Sequence, residues 1–551
     1  MKKICHCSGL YPVIFAVLFL SLPAVSLPAY SQSRQQETGR VAKQLDIFND
    51  VMRELDINYV DTLDYESVVE TAINQMLRQV DPYTVYYSEK DSKQLKEMTT
   101  GQYGGIGAVI QQREVKTGKD GKELQTFIAN PYEGLPAQRN GLMAGDRIMS
   151  VDGESVKGLK VSEVSRKLRG VPGTTITIEI LRSGEKKARK FAFLREEIRL
   201  EPVRYYCAYK ADSLSQPVGY IAFNDFTDNS ARDFERALDD LVTNDHIGSL
   251  IIDLRDNGGG LIGQAVDLVN LFVDNTVVVD TKGKHDEPLY TYRTRYQARY
   301  PDLPLVIMVN KNTASAAEIV CGALQDLHRA TLIGQRTFGK GLVQSIRPIA
   351  HNGSIKVTTA RYYLPSGRCI QAIDYAERQK GNELKKDTAG GILPDIVIND
   401  SVKVDVTFPL YTQNMFFDYA TLYRQKHPVL TASATDFVVS DEMIEDFCRF
   451  LEEKDFKYET ETGKFYKELL TLARKEDLDS ATLAQLESFE SAVQPDYKEA
   501  VYRNKENVQN LLGREIILRY YYQKGELAYV LRFDKELKRA LKEADRLLRK
   551  P

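Results

Sequence analysis

Apolar residues recur at three-to-four spacing near the start of the chain, first as Val41, Leu45, Phe48 and Met52 and then as Val68, Ala72, Met76 and Val80. That period predicts two amphipathic helices in a helical segment spanning 32–98. Asp81-Pro82 closes the second helix, because the residue before a proline is pushed out of the α region. From 99 to 196 the pattern changes to short, glycine-punctuated strands such as 105–110 and the alternating 175–180, with a helical stretch at 161–168. This predicts a small β-rich module. Between 197 and 403, strands at 218–223, 249–254, 305–309 and 331–334 alternate with helices at 231–241, 262–272 and 314–327. Such alternation predicts a layered α/β domain. The unbroken runs Leu250-Ile251-Ile252 and Leu305-Val306-Ile307-Met308-Val309 suit central strands covered on both faces. From 404 to 551 the chain turns helical and charged, and Leu537, Leu541, Ala544 and Leu548 fall on one helix face. That stripe predicts a domain core or a contact between copies rather than a ligand site.

Composition narrows the class. A chain of 551 residues exceeds what one core organises, which fits the division into several domains. With 74 basic against 77 acidic residues there is no basic excess, so a nucleic-acid partner is not expected. Lys2 and Lys3, an apolar run over 10–22 and the small residues around Ala29-Tyr30-Ser31 predict an export signal over 1–31. A retained membrane anchor is the rival, although the uninterrupted run is short for a bilayer span. Cys5 and Cys7 would leave with the signal, while Cys207, Cys321, Cys369 and Cys448 show no metal or redox spacing and are expected as thiols.

Three segments carry candidate chemistry. Ser315, in Asn312-Thr313-Ala314-Ser315-Ala316-Ala317-Glu318, follows a buried strand and opens a helix, where free N–H groups favour developing negative charge. A plain N-cap at Thr313 or Ser315 is the alternative. The run Asp253-Leu254-Arg255-Asp256-Asn257-Gly258-Gly259-Gly260 also follows a buried strand, making the Gly259 N–H one candidate oxyanion donor and the Ala316 N–H the other. Each such donor is worth roughly 3 kcal/mol in a transition state. In Arg336-Thr337-Phe338-Gly339-Lys340-Gly341-Leu342-Val343-Gln344, strand alternation would place Lys340, Leu342 and Gln344 on one face, with Phe338, Leu342 and Val343 supplying an apolar setting. A lysine acts as a base only when neutral, which burial favours. Residues 334–340 also fit most of a phosphate-binding loop, but Gly341 stands where its Ser or Thr belongs. There is no GxSxG elbow and no HExxH helix, and His328 and His351 are expected to be structural or surface residues rather than triad members.

Together these residues resemble the carboxyl-terminal processing peptidases, or tail-specific proteases. The likeness rests on Thr313-Ala314-Ser315-Ala316-Ala317-Glu318-Ile319, Gly322-Ala323-Leu324-Gln325-Asp326, Arg336-Thr337-Phe338-Gly339-Lys340-Gly341 and Val343-Gln344, and spans about 41–395. It implies a crotonase-like or ClpP-like α/β core with an inserted PDZ domain. Ser315 is then the nucleophile, Lys340 the general base and Gln344 its orienting partner, with Gly259 and Ala316 as the oxyanion hole. Gly258 departs from the proline often found there, which implies a looser loop. Gly105-Ile106-Gly107-Ala108 is similar to the loop with which PDZ domains capture a chain terminus while the peptide adds as a strand.

The implied activity is a serine endopeptidase of exported, periplasmic location, or a membrane-associated one if the signal is kept. It needs no metal or cofactor and acts on proteins with free C-termini. The helical ends offer surfaces for homo-oligomerisation or for an activator or adaptor. A catalytically silent PDZ-containing scaffold is the alternative.

Overall fold

The computed structural model describes residues 29–89, 91, 100–117, 121–375, 390–398, 405–493 and 496–549. The export signal expected over 1–31 lies outside the described residues apart from Ala29, Tyr30 and Ser31. The chain divides into two units, 1–75 and 76–551. Helix α1 (Ala29–Asn58) lies in the first, and α2 (Tyr65–Arg78) begins there, as the apolar period predicts.

The second unit opens on a tight turn. The Asp81 carboxylate accepts the N–H groups of Tyr83 and Thr84, each at 2.7 Å, and the Thr84 hydroxyl at 3.0 Å. Side-chain capture of this kind stabilises a turn and releases an extended chain. The chain leaves the turn as strand β1 (Val85–Tyr87), where the sequence pattern suggests a helical segment continuing to 98.

The β-rich module contains β2 (Gln102–Gly105), β3 (Ala108–Thr117), β4 (Gly121–Pro131), β5 (Arg147–Val151), β6 (Glu154–Ser155), β7 (Thr175–Leu181), β8 (Arg189–Leu194) and β9 (Glu196–Arg199), with α3 (Val161–Leu168) against them. Its antiparallel sheet runs β3-β4-β5-β7-β8, which leaves β3 at an edge. Every second residue of β7, Ile176, Ile178 and Ile180, points into a core with Ile128, Ile148 and Val164.

The α/β domain comprises β10 (Val203–Tyr209), β11 (Val218–Phe223), α4 (Ser230–Asn244), β12 (Ser249–Asp253), α5 (Ile262–Asn270), β13 (Val277–Lys282), β14 (Pro288–Arg293), β15 (Leu305–Val309), α6 (Ala316–Asp326), β16 (Ala330–Gly334), β17 (Leu342–Pro348), β18 (Ser354–Tyr363) and β19 (Ile396–Val397). The central sheet runs β10-β11-β12-β15-β16-β19 and is parallel from β11 onward. A second sheet, β1-β18-β13-β14, carries β17 on β18.

Strand alternation divides the central strands between two cores. Leu250, Ile252, Leu305, Ile307 and Val309 pack with Leu238, Val269 and Ile319 of α4, α5 and α6. Ile251, Val306 and Met308 face the other way, where Leu537, Ala540 and Ala544 cover them. Those three residues belong to the last helix, which comes after α7 (Met415–Lys426) and α8 (Lys505–Leu531) and is α9 (Lys535–Leu548). The terminal stripe is therefore the second layer over the central sheet. Leu537→Ala is expected to destabilise the protein by about 2–5 kcal/mol, read from a lower denaturant midpoint with unchanged slope. The rest of the C-terminal segment has its own core, including Phe416, Ile444, Phe447, Leu512 and Ile516. Arg113 of β3 reaches that segment, pairing with Asp418 at 2.6 Å and lying 4.4 Å from the Phe417 ring centroid.

Candidate active site

Parallel strands β12, β15 and β16 are neighbours, and each ends on the same edge of the sheet. In open α/β sheets the crevice outside the strands' carboxyl ends is where ligands are held. The loops leaving these three ends carry the glycine run, Ser315 and Lys340 respectively.

Ser315 joins β15 to α6 with φ 58° and ψ −119°, a conformation that costs an L residue of order 1–3 kcal/mol. A sharp strand-to-helix turn of this type holds a serine at the surface of the sheet edge, beside the helix N–H groups. Gly259 lies against it. A Cβ at Gly259, whose φ is +94°, would fall 2.8 Å from Ser315 Cβ and 2.7 Å from the Ala316 nitrogen, so only glycine fits the approach. The structure thus brings Ser315, Ala316 and Gly259 together. The Gly259 N–H nevertheless donates to Asn257 Oδ1 at 2.8 Å. Asn257 is fully buried, its side chain donating to the Phe223 carbonyl at 2.8 Å and its own carbonyl accepting the Ala314 N–H at 2.9 Å. At Gly258 a Cβ would meet nothing within 4 Å, so that position has room for a larger residue.

Glu318, one turn into α6, joins the serine loop to the lysine loop. Its buried carboxylate accepts the Ser315 N–H at 2.9 Å, the Thr337 hydroxyl at 2.5 Å, the Gly339 N–H at 2.8 Å and the Lys340 N–H at 2.9 Å. Burial pushes its pKa up to about 7, against the pull of those four donors toward the carboxylate. The Tyr362 hydroxyl donates to the carbonyls of both Ser315, at 3.2 Å, and Lys340.

The Lys340 amine is pushed below the ordinary lysine range, first by burial and then by like-charged Lys356, while Glu318 and Asp81 oppose the shift. Its Nζ lies 4.7 Å from the centroid of the Tyr83 ring, and among the described residues no hydrogen bond joins it to Ser315. Phe338, expected to enclose it, is 44% exposed. The expected Gln344–Lys340 pairing is not formed either: the Gln344 amide donates to the Leu342 carbonyl at 3.3 Å and Thr358 Oγ1 at 3.2 Å. Lys340 and Gly341 precede β17, so the alternation on which that expectation rested does not reach Lys340, and the residue passed over by the register shift, Thr359, belongs to β18. Strand β17, not a helix, comes after Gly341, so the phosphate-loop alternative lacks its helix. His328 sits just past the end of α6 and His351 in the β17–β18 turn, both at positive φ.

In the β-rich module the predicted loop, Gly105 to Ala108, closes one end of a groove of about 70 Å³ between edge strand β3 and α3, lined also by Ile110, Ser165 and Leu168. The Arg169 guanidinium lies at the same end, 4.7 Å from the Tyr103 ring centroid.

Residues 217–398 match Peptidase family S41, 127–182 match the PDZ domain, and 406–543 match the family described as "Probable PDZ-protease, C-terminal helical domain". The carboxy-terminal-processing protease of Bartonella bacilliformis is 32% identical over 394 residues, covering 70% of this chain and 82% of the relative. The chain belongs to this family of carboxy-terminal processing proteases. Its relative in Synechocystis is 33% identical over 330 residues, 60% of this chain and 70% of that one, and that in Bacillus subtilis is 30% identical over 366 residues, covering 66% and 72%. The protein is accordingly a serine peptidase with a PDZ domain, and the silent-scaffold alternative is not favoured.

Sequence reasoning overlooked the groups that hold this protease's loops together. Glu318 was legible in principle, since Ser-x-x-Glu at a helix start is the capping-box spacing. Asn257 and Tyr362 are placed by long-range packing and carry no local signal. Among the described residues Cys207, Cys321, Cys369 and Cys448 are free thiols.

Proposed function

We propose that the protease cleaves polypeptides presented by their C-termini, with Ser315 as nucleophile, Lys340 as general base and the N–H groups of Ala316 and Gly259 as oxyanion donors. Neutral Lys340 takes the Ser315 hydroxyl proton as Oγ attacks the scissile carbonyl, then gives it to the leaving amine as the acyl ester forms. Water, deprotonated by the same amine, hydrolyses the ester and frees Oγ. The Gly259 N–H must turn from Asn257 to the oxyanion for both donors to serve. Gln344 reaches the lysine only after its amide leaves the Leu342 carbonyl and Thr358 Oγ1. The observation carrying this reading is the Glu318 carboxylate, which draws the backbones of Ser315 and Lys340 onto one group.

Substrate recognition is assigned to the groove beside edge strand β3, where a peptide can add to the sheet while the 105–108 loop and Arg169 meet its terminal carboxylate. An unfolded reporter with an apolar C-terminal tail is expected to be cleaved at least tenfold faster than the same reporter amidated at its C-terminus. Equal rates would remove the C-terminal reading. Gly107→Ala, whose Cβ would meet Leu135 Cβ at 2.6 Å with φ at +70°, should erase the difference between the two reporters.

The pattern over 1–31 supports export, and the exposed Val41, Leu45 and Phe48 of α1 support self-association or adaptor binding. Among the described residues no helix is long and apolar enough to cross a membrane.

A further inference from the structure

Tyr83 stands outside the Ser315–Lys340–Gln344 set, yet it touches the base. It lies in the Asp81 turn just before β1, and β1 pairs with β18, whose other edge carries β17 directly after the lysine loop. The ring is held from several sides. Asp81 fixes the turn, the Thr358 N–H of β18 donates to Thr84 Oγ1 at 3.2 Å, and Tyr375 stands edge-on with centroids 6.0 Å apart. Lys340 Nζ rests over the ring, 4.7 Å from its centroid. An aromatic face attracts an ammonium and gives a neutral amine no comparable hold.

Resting on the Ser315–Lys340 mechanism, we propose that Tyr83 is a positioning residue for the general base, its ring retaining the charged form of Lys340 off Ser315. Activation then has two parts: the ammonium releases its proton to solvent, and the neutral amine leaves the ring for the serine hydroxyl. Other groups act on the same nitrogen. Lys356 on β18 and burial disfavour its charge, while Glu318 on α6 and Asp81 in the turn favour it. Burial first and neighbouring Tyr375 next push the Tyr83 pKa up and keep it uncharged, and Tyr362, uncharged because burial pushes its pKa up, holds the Lys340 carbonyl. The ring favours charged over neutral lysine without itself carrying charge.

The test is the pH dependence of kcat/KM on the tailed reporter for the full chain, Tyr83→Phe and Tyr83→Leu. Only neutral Lys340 is active, so the rate rises with pH through its pKa. Removing the ring disfavours the ammonium, lowers that pKa and moves the acid limb down by about one pH unit, making Tyr83→Leu up to about tenfold faster than wild type on the limb. Tyr83→Phe keeps the ring and should keep the limb where it is. The midpoint of the limb does not depend on how much enzyme is folded, so a loss of protein cannot imitate the shift. An unmoved limb in Tyr83→Leu, or the same shift in Tyr83→Phe, overturns the proposal. Lys340→Ala separates the two levels. An active Lys340→Ala enzyme with its limb intact removes the lysine mechanism itself, whereas an inactive one beside an unresponsive Tyr83 pair removes only the role of Tyr83.

Discussion

Ser315→Ala is expected to lower kcat on the tailed reporter by roughly a millionfold, with folding unchanged. Nucleophile and base act as a unit, so Lys340→Ala should cost about as much, and the double variant should lose little more than either alone. Both side chains are only half-buried, and neither helix α6 nor strand β17 draws its packing from them. The thermal midpoint should therefore move by only a few degrees. Reporter binding measured by anisotropy should persist in both variants, because the groove beside β3 is built from other residues. A Ser315→Ala enzyme with substantial turnover would place the nucleophile elsewhere.

Glu318 should show the second-largest effect, on stability as well as rate. Glu318→Ala leaves three backbone N–H groups and the Thr337 hydroxyl without their acceptor in a buried site. Each orphaned group costs about 1–3 kcal/mol, so the variant should be strongly destabilised and its catalytic loops should separate. Glu318→Gln keeps the shape and one acceptor oxygen but cannot titrate. The folded carboxyl has its pKa raised from 4.5 to about 7, so below pH 4.5 both states bind the proton. As pH rises toward 7 the unfolded chain releases its proton first, and the folded state loses stability on the order of 3 kcal/mol. Wild type should therefore weaken relative to Glu318→Gln between pH 5 and 7, then run parallel above 8, as read from urea midpoints. A constant gap across that range would mean that the carboxylate's four donors hold it ionised throughout.

Which parts of this arrangement were legible in the sequence depends on how local their causes are. Strands β11 and β15 and helix α3 have the expected limits because apolar period and glycine breaks are local signals. The joining of Ser315, Ala316 and Gly259 was also readable, since each lies just after a buried strand and the parallel strands are neighbours. The Gln344–Lys340 pairing was read by extending strand alternation back to Lys340, which in fact precedes β17, while the Gln344 amide is drawn to Thr358 of β18, a partner with no local signal. Strand β1 was hidden because its apolar residues, Val85 to Tyr87, are short and gain their partner from β18, more than two hundred residues onward. The same distance concealed Tyr83. The α9 stripe announced burial through Leu537 and Ala544, but nothing local said that its partner was the catalytic sheet.

The central claim is that a serine activated by a lysine performs the hydrolysis, and mapping the site of covalent modification by an active-site-directed fluorophosphonate tests it most directly. Peptide mass spectrometry should locate the adduct on Ser315 in the wild-type chain, with labelling that slows at least a hundredfold in Lys340→Ala. An adduct on another residue, or Ser315 labelling at an undiminished rate without the lysine, would contradict the account.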